Sequence, residues 1–381
     1  MKNEIGRNNK IANLSFAMIV VGFPLVVLMS MYDDRPYFDS FILAISSFSV
    51  LGYLIFYGRR YLSLLTRVRT SQGLNFAAFV ALISLIFVTV VFNVATGSES
   101  LLLQGVASGV VMIYFYLTMM DLDFGSSSVR LTMVVSMFLM FAIAILGFVD
   151  TGFWFSTWRF PYNYLSLLVV LVLFLSFENP FGSRPAYYFF VAVSIFCLIS
   201  LGGRSELLVL LCSVLVMKML NIKFMLGLSL AVGFWWAFFF ESTLNIVAEN
   251  SEQVRVFGSL LQGLDGDESL NDRRTIFDER LLSINESPLL GSYGDYEPGR
   301  YAHNLFSVWD DYGLAGLLLF LVILFSYGLR VVSTPSVAMA TAFVFCIFQW
   351  ALFKAHFYPL AWALVGLSFN QYVARGSNDH A

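Results

Sequence analysis

Long apolar segments, separated by short polar ones, occupy most of this sequence. A helix that crosses a bilayer needs about 20 mainly apolar residues. Segments of that kind predict twelve spanning helices, at residues 11–31, 38–57, 75–96, 101–120, 131–149, 162–177, 186–201, 205–220, 224–241, 303–327, 336–353 and 358–374. The seventh and eighth share one apolar run, which is interrupted only at "LGGRSE". The pattern predicts an all-α polytopic membrane protein with about twelve transmembrane helices.

One polar stretch, residues 242–302, is much longer than the other connections. Its first part, "NIVAENSEQVRVFGSLLQGL", has apolar residues near helical spacing and predicts an amphipathic surface helix. The later "NDRRTIFDERLLSI" predicts a second helix with Phe277, Leu281 and Ile284 on one stripe. Pro288 and Gly291 are expected to end that helix.

This loop divides the chain into three parts. Helices one to nine occupy residues 1–241, the long loop occupies 242–302, and helices ten to twelve with a tail occupy 303–381. Lysine and arginine favour the cytoplasmic side of a membrane protein. With a cytoplasmic N-terminus, the short outer loops hold only Arg35, Arg159, Arg204 and Lys354, and the inner segments hold many more. Both termini are therefore expected to be cytoplasmic, with the long loop outside.

Composition supports a membrane protein and excludes other classes. The chain is 59% hydrophobic and 12% charged, with a mean hydropathy of +0.77. A soluble protein of 381 residues has too little interior to bury so much apolar surface. A net charge of only −3 gives no reason to expect a nucleic-acid partner. His303, His356 and His380 lie too far apart to suggest a metal site, so neither a metal nor another cofactor is predicted.

Several charged residues are predicted on the outer face, where membrane insertion makes them costly. Arg204 lies at the tip between two apolar segments, and Arg159 lies in the aromatic-rich "FWFSTWRFPYNY". Arg273 and Arg274 are expected to begin the second loop helix, and His303 stands at the start of helix ten. Guanidinium groups bind phosphate oxygens through paired, charge-assisted hydrogen bonds. These cations therefore predict a site for an anion such as a pyrophosphate.

Each of these residues also has an ordinary structural explanation. Arg204 and Arg159 could be interfacial anchors whose side chains reach the headgroups. Arg274 could pair with Asp278 one turn later, and His303 could cap its helix. Asp310 and Asp311 could belong to an interior polar network. His356 and Lys354, in "FKAHFYP", are expected to lie in a solvated loop, with contact to a ligand as the alternative.

The second half of the chain resembles the bacterial O-antigen polymerase and O-antigen ligase superfamily. The similar pieces are Arg274 with Ile276-Phe277, then Pro288-Leu289-Leu290-Gly291, then His303-Asn304, then Gly313 and Gly316. Upstream, "GGRSELLVLL" is similar to the family's arginine motif at an outer helix tip, although Gly203-Arg204-Ser205 replaces Ser-Arg-Gly. "RFPYNYLS" is loosely similar to an earlier element but lacks its Asn-Pro-Asn. In the first half the resemblance is limited to hydropathy and helix number.

The resemblance implies a membrane glycosyltransferase of the C-type fold in the bacterial inner membrane. Such enzymes are inverting and metal-independent, and they use glycans carried on undecaprenyl pyrophosphate. The outer loop would then be periplasmic. The implied partners are the undecaprenyl-pyrophosphate-linked oligosaccharide, membrane lipids and a chain-length regulator protein.

Roles for individual residues follow from the chemistry that such a transfer needs. An imidazole titrates near neutral pH, so His303 is the candidate base for the acceptor hydroxyl. Arg204 and Arg274, with Arg159, Arg273 and Arg300, would stabilise the departing pyrophosphate. Asn304, Asp310 and Asp311 are candidate supporting residues, and the two aspartates could orient His303 only if the chain bends.

Three activities remain open from the sequence. A polymerase for O-antigen or capsular polysaccharide would transfer the glycan to another lipid-linked repeat unit. A ligase would transfer it to lipid A-core. A transporter of lipid or polysaccharide would instead show polar residues at the membrane midplane, discontinuous helices and internal repeats.

Overall fold

The computed structural model describes residues 2–33, 38–94, 99–123, 126–150, 162–178, 184–200, 204–218, 268–293, 304–333, 336–352 and 354–370. These residues form helices and turns, and no β-strand occurs among them. The helices are α1 (Lys2–Ala17), a π-helical turn (Met18–Gly22), α2 (Phe23–Asp33), α3 (Phe38–Leu65), α4 (Ser71–Val94), α5 (Glu99–Asp121), α6 (Ser127–Asp150), α7 (Tyr162–Glu178), α8 (Arg184–Ser200), α9 (Arg204–Lys218), α10 (Glu268–Glu286), α11 (Phe306–Ser333), α12 (Val337–Leu352) and α13 (Pro359–Ser368).

Six stretches in the described ranges are long and apolar enough to cross a membrane. They are Lys10–Met29, Ser40–Leu65, Ser71–Phe92, Leu103–Asp121, Ser127–Leu146 and Phe306–Ser333. Shorter apolar helices occupy five more of the predicted spans. These helices fit a polytopic membrane protein, and the total of twelve spans stays a prediction. The predicted span at 224–241 and the first loop helix lie outside the described residues.

Several helix ends differ from the predicted spans. The predicted seventh and eighth spans are separate helices, since α8 ends at Ser200 and α9 begins at Arg204. Helix α13 ends at Ser368 instead of continuing to 374. Its last turn tightens, since the amides of Phe369 and Asn370 donate to carbonyls three residues back. Just beyond the helix, the side-chain amide of Asn370 donates to the carbonyls of Met119 (2.9 Å) and Leu122 (2.8 Å) at the end of α5.

The chain forms two compact units, one made of residues 1–136 with 273–381 and one made of 137–272. In the first unit α4 packs against α11, and α5 packs against α3 and α13. Helix α13 is buried along its whole length. A β-carbon at Gly366 would overlap the backbone carbonyl of Tyr116, so only glycine lets α13 approach α5 this closely.

Aromatic rings fill the centre of the first unit. Trp362 of α13 lies 5.6 Å from Trp350, 5.9 Å from Phe320 and 5.2 Å from Phe79, measured between ring centroids. The last of these rings stacks on Tyr116 at 4.1 Å. Aromatic pairs in these orientations add attraction beyond the area they bury.

An ion pair with a buried carboxylate lies near the ends of α3 and α5. Arg60 Nη1 is 2.7 Å from Asp121 Oδ1, and the hydroxyl of Tyr61 donates to Asp121 Oδ2 at 2.8 Å. The Asp121 side chain is fully buried, so these two partners compensate the cost of removing its charge from water.

The second unit is built around α7. Residues Leu165–Ser176 of this helix are all buried, which explains why they form a nearly continuous apolar run. Helices α8 and α9 pack on α7 and on each other. Phe141 of α6 also packs on Phe196 of α8, with ring centroids 5.6 Å apart.

Candidate functional site

The segment that follows α10 turns sharply and docks on the beginning of α11. Pro288 lies two residues after the end of α10, where the sequence predicted a stop. Its carbonyl oxygen accepts hydrogen bonds from Trp309 Nε1 at 2.9 Å and from the backbone N–H of Leu314 at 3.0 Å. These two bonds hold the segment after α10 against the first turns of α11.

Two glycines make this contact sterically possible. Gly291 and Gly313 both have a left-handed backbone, with φ of 79° and 64°. The second of them breaks α11 after its first two turns, and the next amide then bonds to Pro288 instead of to its own helix. A β-carbon at either glycine would overlap the facing backbone. Both positions therefore require glycine.

Asp310 is fixed beside this contact by Ser292 and faces Arg280. The Ser292 hydroxyl donates to Asp310 Oδ1 at 2.9 Å, and the Ser292 backbone N–H donates to the Asp310 carbonyl at 2.6 Å. Arg280 Nη1 lies 3.8 Å from Asp310 Oδ2. The carboxylate is fully buried, and the arginine side chain is 11% exposed. A charged pair therefore joins α10 to α11.

Asp311 faces a second buried group, made of Ser307 and His356. The Ser307 hydroxyl oxygen lies 3.0 Å from His356 Nδ1 and also accepts the His356 backbone N–H at 3.0 Å. Asp311 Oδ2 lies 3.8 Å from the same Nδ1. Trp362 Nε1 donates to the His356 carbonyl at 2.6 Å, which ties the histidine to α13.

Burial controls the charge of these side chains. His356 is 1% exposed, and burial lowers its pKa from 6.5 to about 3. The nearby Asp311 carboxylate favours a charged ring, but desolvation is the larger effect, so His356 is neutral near pH 7. Burial, together with the negative charge of Asp311, also raises the pKa of the Tyr293 hydroxyl above its usual value.

The expectation of a solvated "FKAHFYP" loop is wrong for His356. The Tyr312 ring packs edge-on against the imidazole, with ring centroids 5.1 Å apart. The neighbouring Lys354 keeps partial exposure and lies 5.1 Å from the ring centre of Tyr358. Of these two residues, the lysine is the one that keeps contact with solvent.

The predicted arginine sites fall partly within the described residues. Arg204 is the first residue of α9, as its place at a helix tip predicted. Arg273 and Arg274 do not begin their helix, because α10 starts at Glu268 and places both in its second turn. His303, Arg159 and Arg300 lie outside the described residues.

The supporting residues have structural partners. The Asn304 side chain accepts the backbone N–H of Phe306 at 3.0 Å and so caps α11, which begins at Phe306 instead of 303. Asp310 and Asp311 belong to a buried polar network, which was one of the two explanations open from the sequence. Of the predicted stripe on α10, Ile284 is buried, and Phe277 and Leu281 are only partly buried. Among the side chains of α10 that the structure describes, Ile276 is the other buried apolar residue.

Sequence reasoning missed Arg280, Ser292 and Ser307. Arg280 lies between Phe277 and Ile284 on the face of α10 that packs inward, and this position was the available signal. The two serines carried none, because a serine hydroxyl is common in loops and first helical turns alike.

No family model matches the chain, and no curated protein matches it either.

Proposed function

We propose that this protein is a membrane glycosyltransferase that polymerises O-antigen or capsular polysaccharide at the periplasmic face of the bacterial inner membrane. The donor is a glycan on undecaprenyl pyrophosphate, and the acceptor is a hydroxyl of a second lipid-linked repeat unit. The apolar helices support a membrane location, and the ordered motif pieces of the second half support the enzyme class.

One observation carries the proposal. Two pieces of the motif that lie apart in sequence, Pro288–Gly291 and Gly313–Gly316, contact each other through the Leu314–Pro288 hydrogen bond and the paired glycines. The arginines of α10 precede one piece, and His303 precedes the helix that carries the other. A conformation that needs glycine at both contact points explains why these residue types occur in this order.

The reaction joins the acceptor oxygen to the anomeric carbon as the bond from that carbon to the phosphate oxygen breaks. His303 accepts the proton of the attacking hydroxyl, and the bonding electrons leave with the pyrophosphate. Arg204 and Arg274, with Arg159, Arg273 and Arg300, stabilise the growing negative charge. The polyprenyl chain stays in the lipid, so that only the saccharides enter water.

Asp310 and Asp311 support the site in this scheme and do not act on the substrate. Asp310 is held by Ser292 and faces Arg280, and Asp311 faces the neutral His356. The helical bend at Gly313 comes after both aspartates.

The transporter alternative predicts discontinuous helices, and α11 is indeed interrupted at Gly313. However, at this interruption the Pro288 carbonyl accepts the backbone N–H of Leu314. The break therefore serves to hold the segment after α10 against α11. A helix break whose free amide is bonded to another part of the chain favours a structural role over a path for an ion or substrate. The polymerase proposal is therefore preferred.

The test is a reconstitution with purified protein and one lipid-linked repeat unit. The proposal predicts a ladder of chain lengths without any other acceptor, and its loss in His303→Ala and Arg274→Ala. Matched controls are His380→Ala in the tail and Arg69→Ala, an exposed arginine between α3 and α4. Product that forms only with lipid A-core would identify a ligase. Equal activity of the His303→Ala and wild-type proteins would overturn the proposed mechanism.

A further inference from the structure

Two neighbouring leucines after α10 are exposed although they lie outside the helices. Leu290 is 85% exposed and Leu289 is 66% exposed. Both belong to the turn at residues 288–291, which docks on α11. A single exposed leucine needs no explanation, but neighbouring ones that join a larger apolar surface mark a contact with lipid or with protein. The position of this turn relative to the membrane therefore decides what covers it.

Helix α11 carries an exposed apolar stripe that ends beside this turn. The stripe is made of exposed residues that recur every three or four positions and so share one face, namely Leu314, Leu318, Leu321 and Phe325. On a helix long and apolar enough to cross a membrane, such a face meets the acyl chains of the lipids. At the end of the stripe, the Leu314 backbone N–H donates to the Pro288 carbonyl at 3.0 Å. The turn therefore adjoins the lipid-facing surface.

The length of α11 sets the depth of this contact. The apolar stretch Phe306–Ser333 has 28 residues, which at about 1.5 Å per residue is about 42 Å, whereas the hydrocarbon core of a bilayer is about 30 Å thick. Arg330, in the last turn, carries a charge that belongs at the far membrane surface. A core of about 20 residues that ends before Arg330 begins near residue 310. Leu314, and the turn bonded to it, then lie at the hydrocarbon boundary or within it.

The backbone of the turn is suited to an apolar environment. Polar backbone groups that meet lipid must find their partners within the protein. The Pro288 carbonyl accepts from Trp309 Nε1 as well as from the Leu314 amide, and proline itself has no N–H. The Gly291 amide donates to the Ser287 carbonyl at 3.0 Å. An indole ring with a bonded N–H is also typical of the membrane interface, so Trp309 fits the same position.

We propose that the turn at residues 288–291 is a membrane anchor, in which Leu289 and Leu290 insert among lipid acyl chains beside α11. Its partner is the bilayer itself, in the leaflet that surrounds the start of α11. The anchor holds the end of α10 at the membrane surface, because lifting that end would move both leucines into water. This inference concerns the placement of α10 and does not depend on the reaction proposed above.

Leu282 of α10 provides a matched contrast. It is 66% exposed, as Leu289 is. Its neighbours one turn away include Asp278, Asn285 and Glu286, which are exposed as well. A leucine among exposed polar side chains of a helix faces water. The two leucines therefore have equal exposure but are expected to meet different surroundings.

The test places the photoreactive residue benzoylphenylalanine at one position at a time in the full-length protein, in nanodiscs of phosphatidylcholine and phosphatidylglycerol. The excited ketone inserts into a nearby C–H bond, and mass spectrometry then shows whether lipid or protein was adjacent. Phe325, which is 63% exposed on the α11 stripe, is the positive control, and Leu282 is the negative control. Leu289 and Leu290 are expected to give as much lipid adduct as Phe325 and about tenfold more than Leu282.

Each outcome bears on the anchor. Lipid adducts at Leu289 and Leu290 no more frequent than at Leu282 would place the turn in water and overturn the inference. A crosslink to a second chain, or to another segment of the same chain, would also overturn it, because the surface would then be a protein contact. If Phe325 gave no lipid adduct either, the membrane placement of α11 would fail and the anchor with it. Lipid adducts at both turn positions, in a protein that builds no chains, would support the anchor and overturn only the proposed function.

Discussion

Gly291 and Gly313 lie backbone to backbone, each with a positive φ, and a β-carbon on either would come within 2.8 Å of the other's backbone nitrogen. A β-carbon on Gly291 would lie 2.5 Å from the carbonyl oxygen of Asp311, and one on Gly313 would overlap the carbonyl of Leu289. This contact holds the segment after α10 against α11, so both glycines set the shape of the candidate site.

Gly313→Ala is therefore expected to destabilise the protein. The left-handed backbone alone costs a non-glycine residue about 1–3 kcal/mol, and the overlap with Leu289 adds to it. The measurement is the Tm in detergent. Gly52→Ala in α3 is the control, because a β-carbon there meets nothing within 4 Å and alanine favours a helix. Equal Tm values for the two variants would contradict the account of this contact.

Asn304 caps α11 immediately after the proposed base. Asn304→Ala is expected to cost about 0.5–2 kcal/mol of stability, the usual effect of losing a helix cap. Because His303 is the preceding residue, the turnover number is expected to fall more than the substrate affinity. Asn304→Ser restores a capping oxygen and should recover both stability and turnover. A serine variant as impaired as the alanine variant would show that capping is not the role of Asn304.

Arg60 and Asp121 provide a stability test that is independent of the proposed reaction. Arg60→Ala leaves a buried carboxylate with the Tyr61 hydroxyl but without its cation. The expected loss is below the roughly 3–5 kcal/mol of a fully buried pair, because the Arg60 side chain is 28% exposed. Arg59→Ala is the control, since Arg59 is adjacent in sequence and exposed. Chemical or thermal unfolding should separate the two variants clearly, and similar unfolding curves would argue against a buried pair.

His356 predicts a specific dependence of stability on pH. Its pKa is about 3 in the folded protein against 6.5 for an exposed histidine. Between these values the unfolded chain binds a proton that the folded chain does not, so stability falls as the pH is lowered from about 6.5 toward 3. The limiting slope is about 1.4 kcal/mol per pH unit.

The pH test compares wild type with His356→Gln. At pH 5 the wild-type protein is expected to have lost about 2 kcal/mol of unfolding free energy relative to pH 7.5 because of His356. The His356→Gln protein should not show this loss, since glutamine does not titrate. The measurement is the difference in unfolding free energy between the two proteins at each pH. A difference that does not change with pH would mean that His356 is protonated, or exposed, in the folded protein.

Much of the helical architecture could be predicted from the sequence. Apolar run length located most helices, and Pro288 with Gly291 marked the end of α10, because these signals are local. The break at Gly313 was not predictable, since glycine is common in membrane helices and its left-handed backbone depends on the docking of Pro288. The burial of His356 depends on α13 and α11 packing around it, whereas Lys354, two residues earlier, suggested solvent.

The candidate site was predictable in composition but not in contacts. The motif pieces drew attention to Asp310, yet nothing local indicated that Arg280 and Ser292 would face it. Those partners come from the close approach of segments that are distant in sequence; Ser292 and Asp310, for example, are 18 residues apart. Such long-range pairings depend on tertiary packing, which short-range periodicity does not encode.

The central claim is that this chain transfers glycan from a polyprenyl pyrophosphate to a second lipid-linked unit. The most direct measurement counts undecaprenyl pyrophosphate released per glycosidic bond formed, with purified protein in lipid nanodiscs and one lipid-linked repeat unit as sole substrate. The account predicts one molecule released for each bond formed in wild type and neither product in His303→Ala. Glycan that crosses or leaves the membrane without pyrophosphate release, or chain growth that persists in His303→Ala, would contradict it.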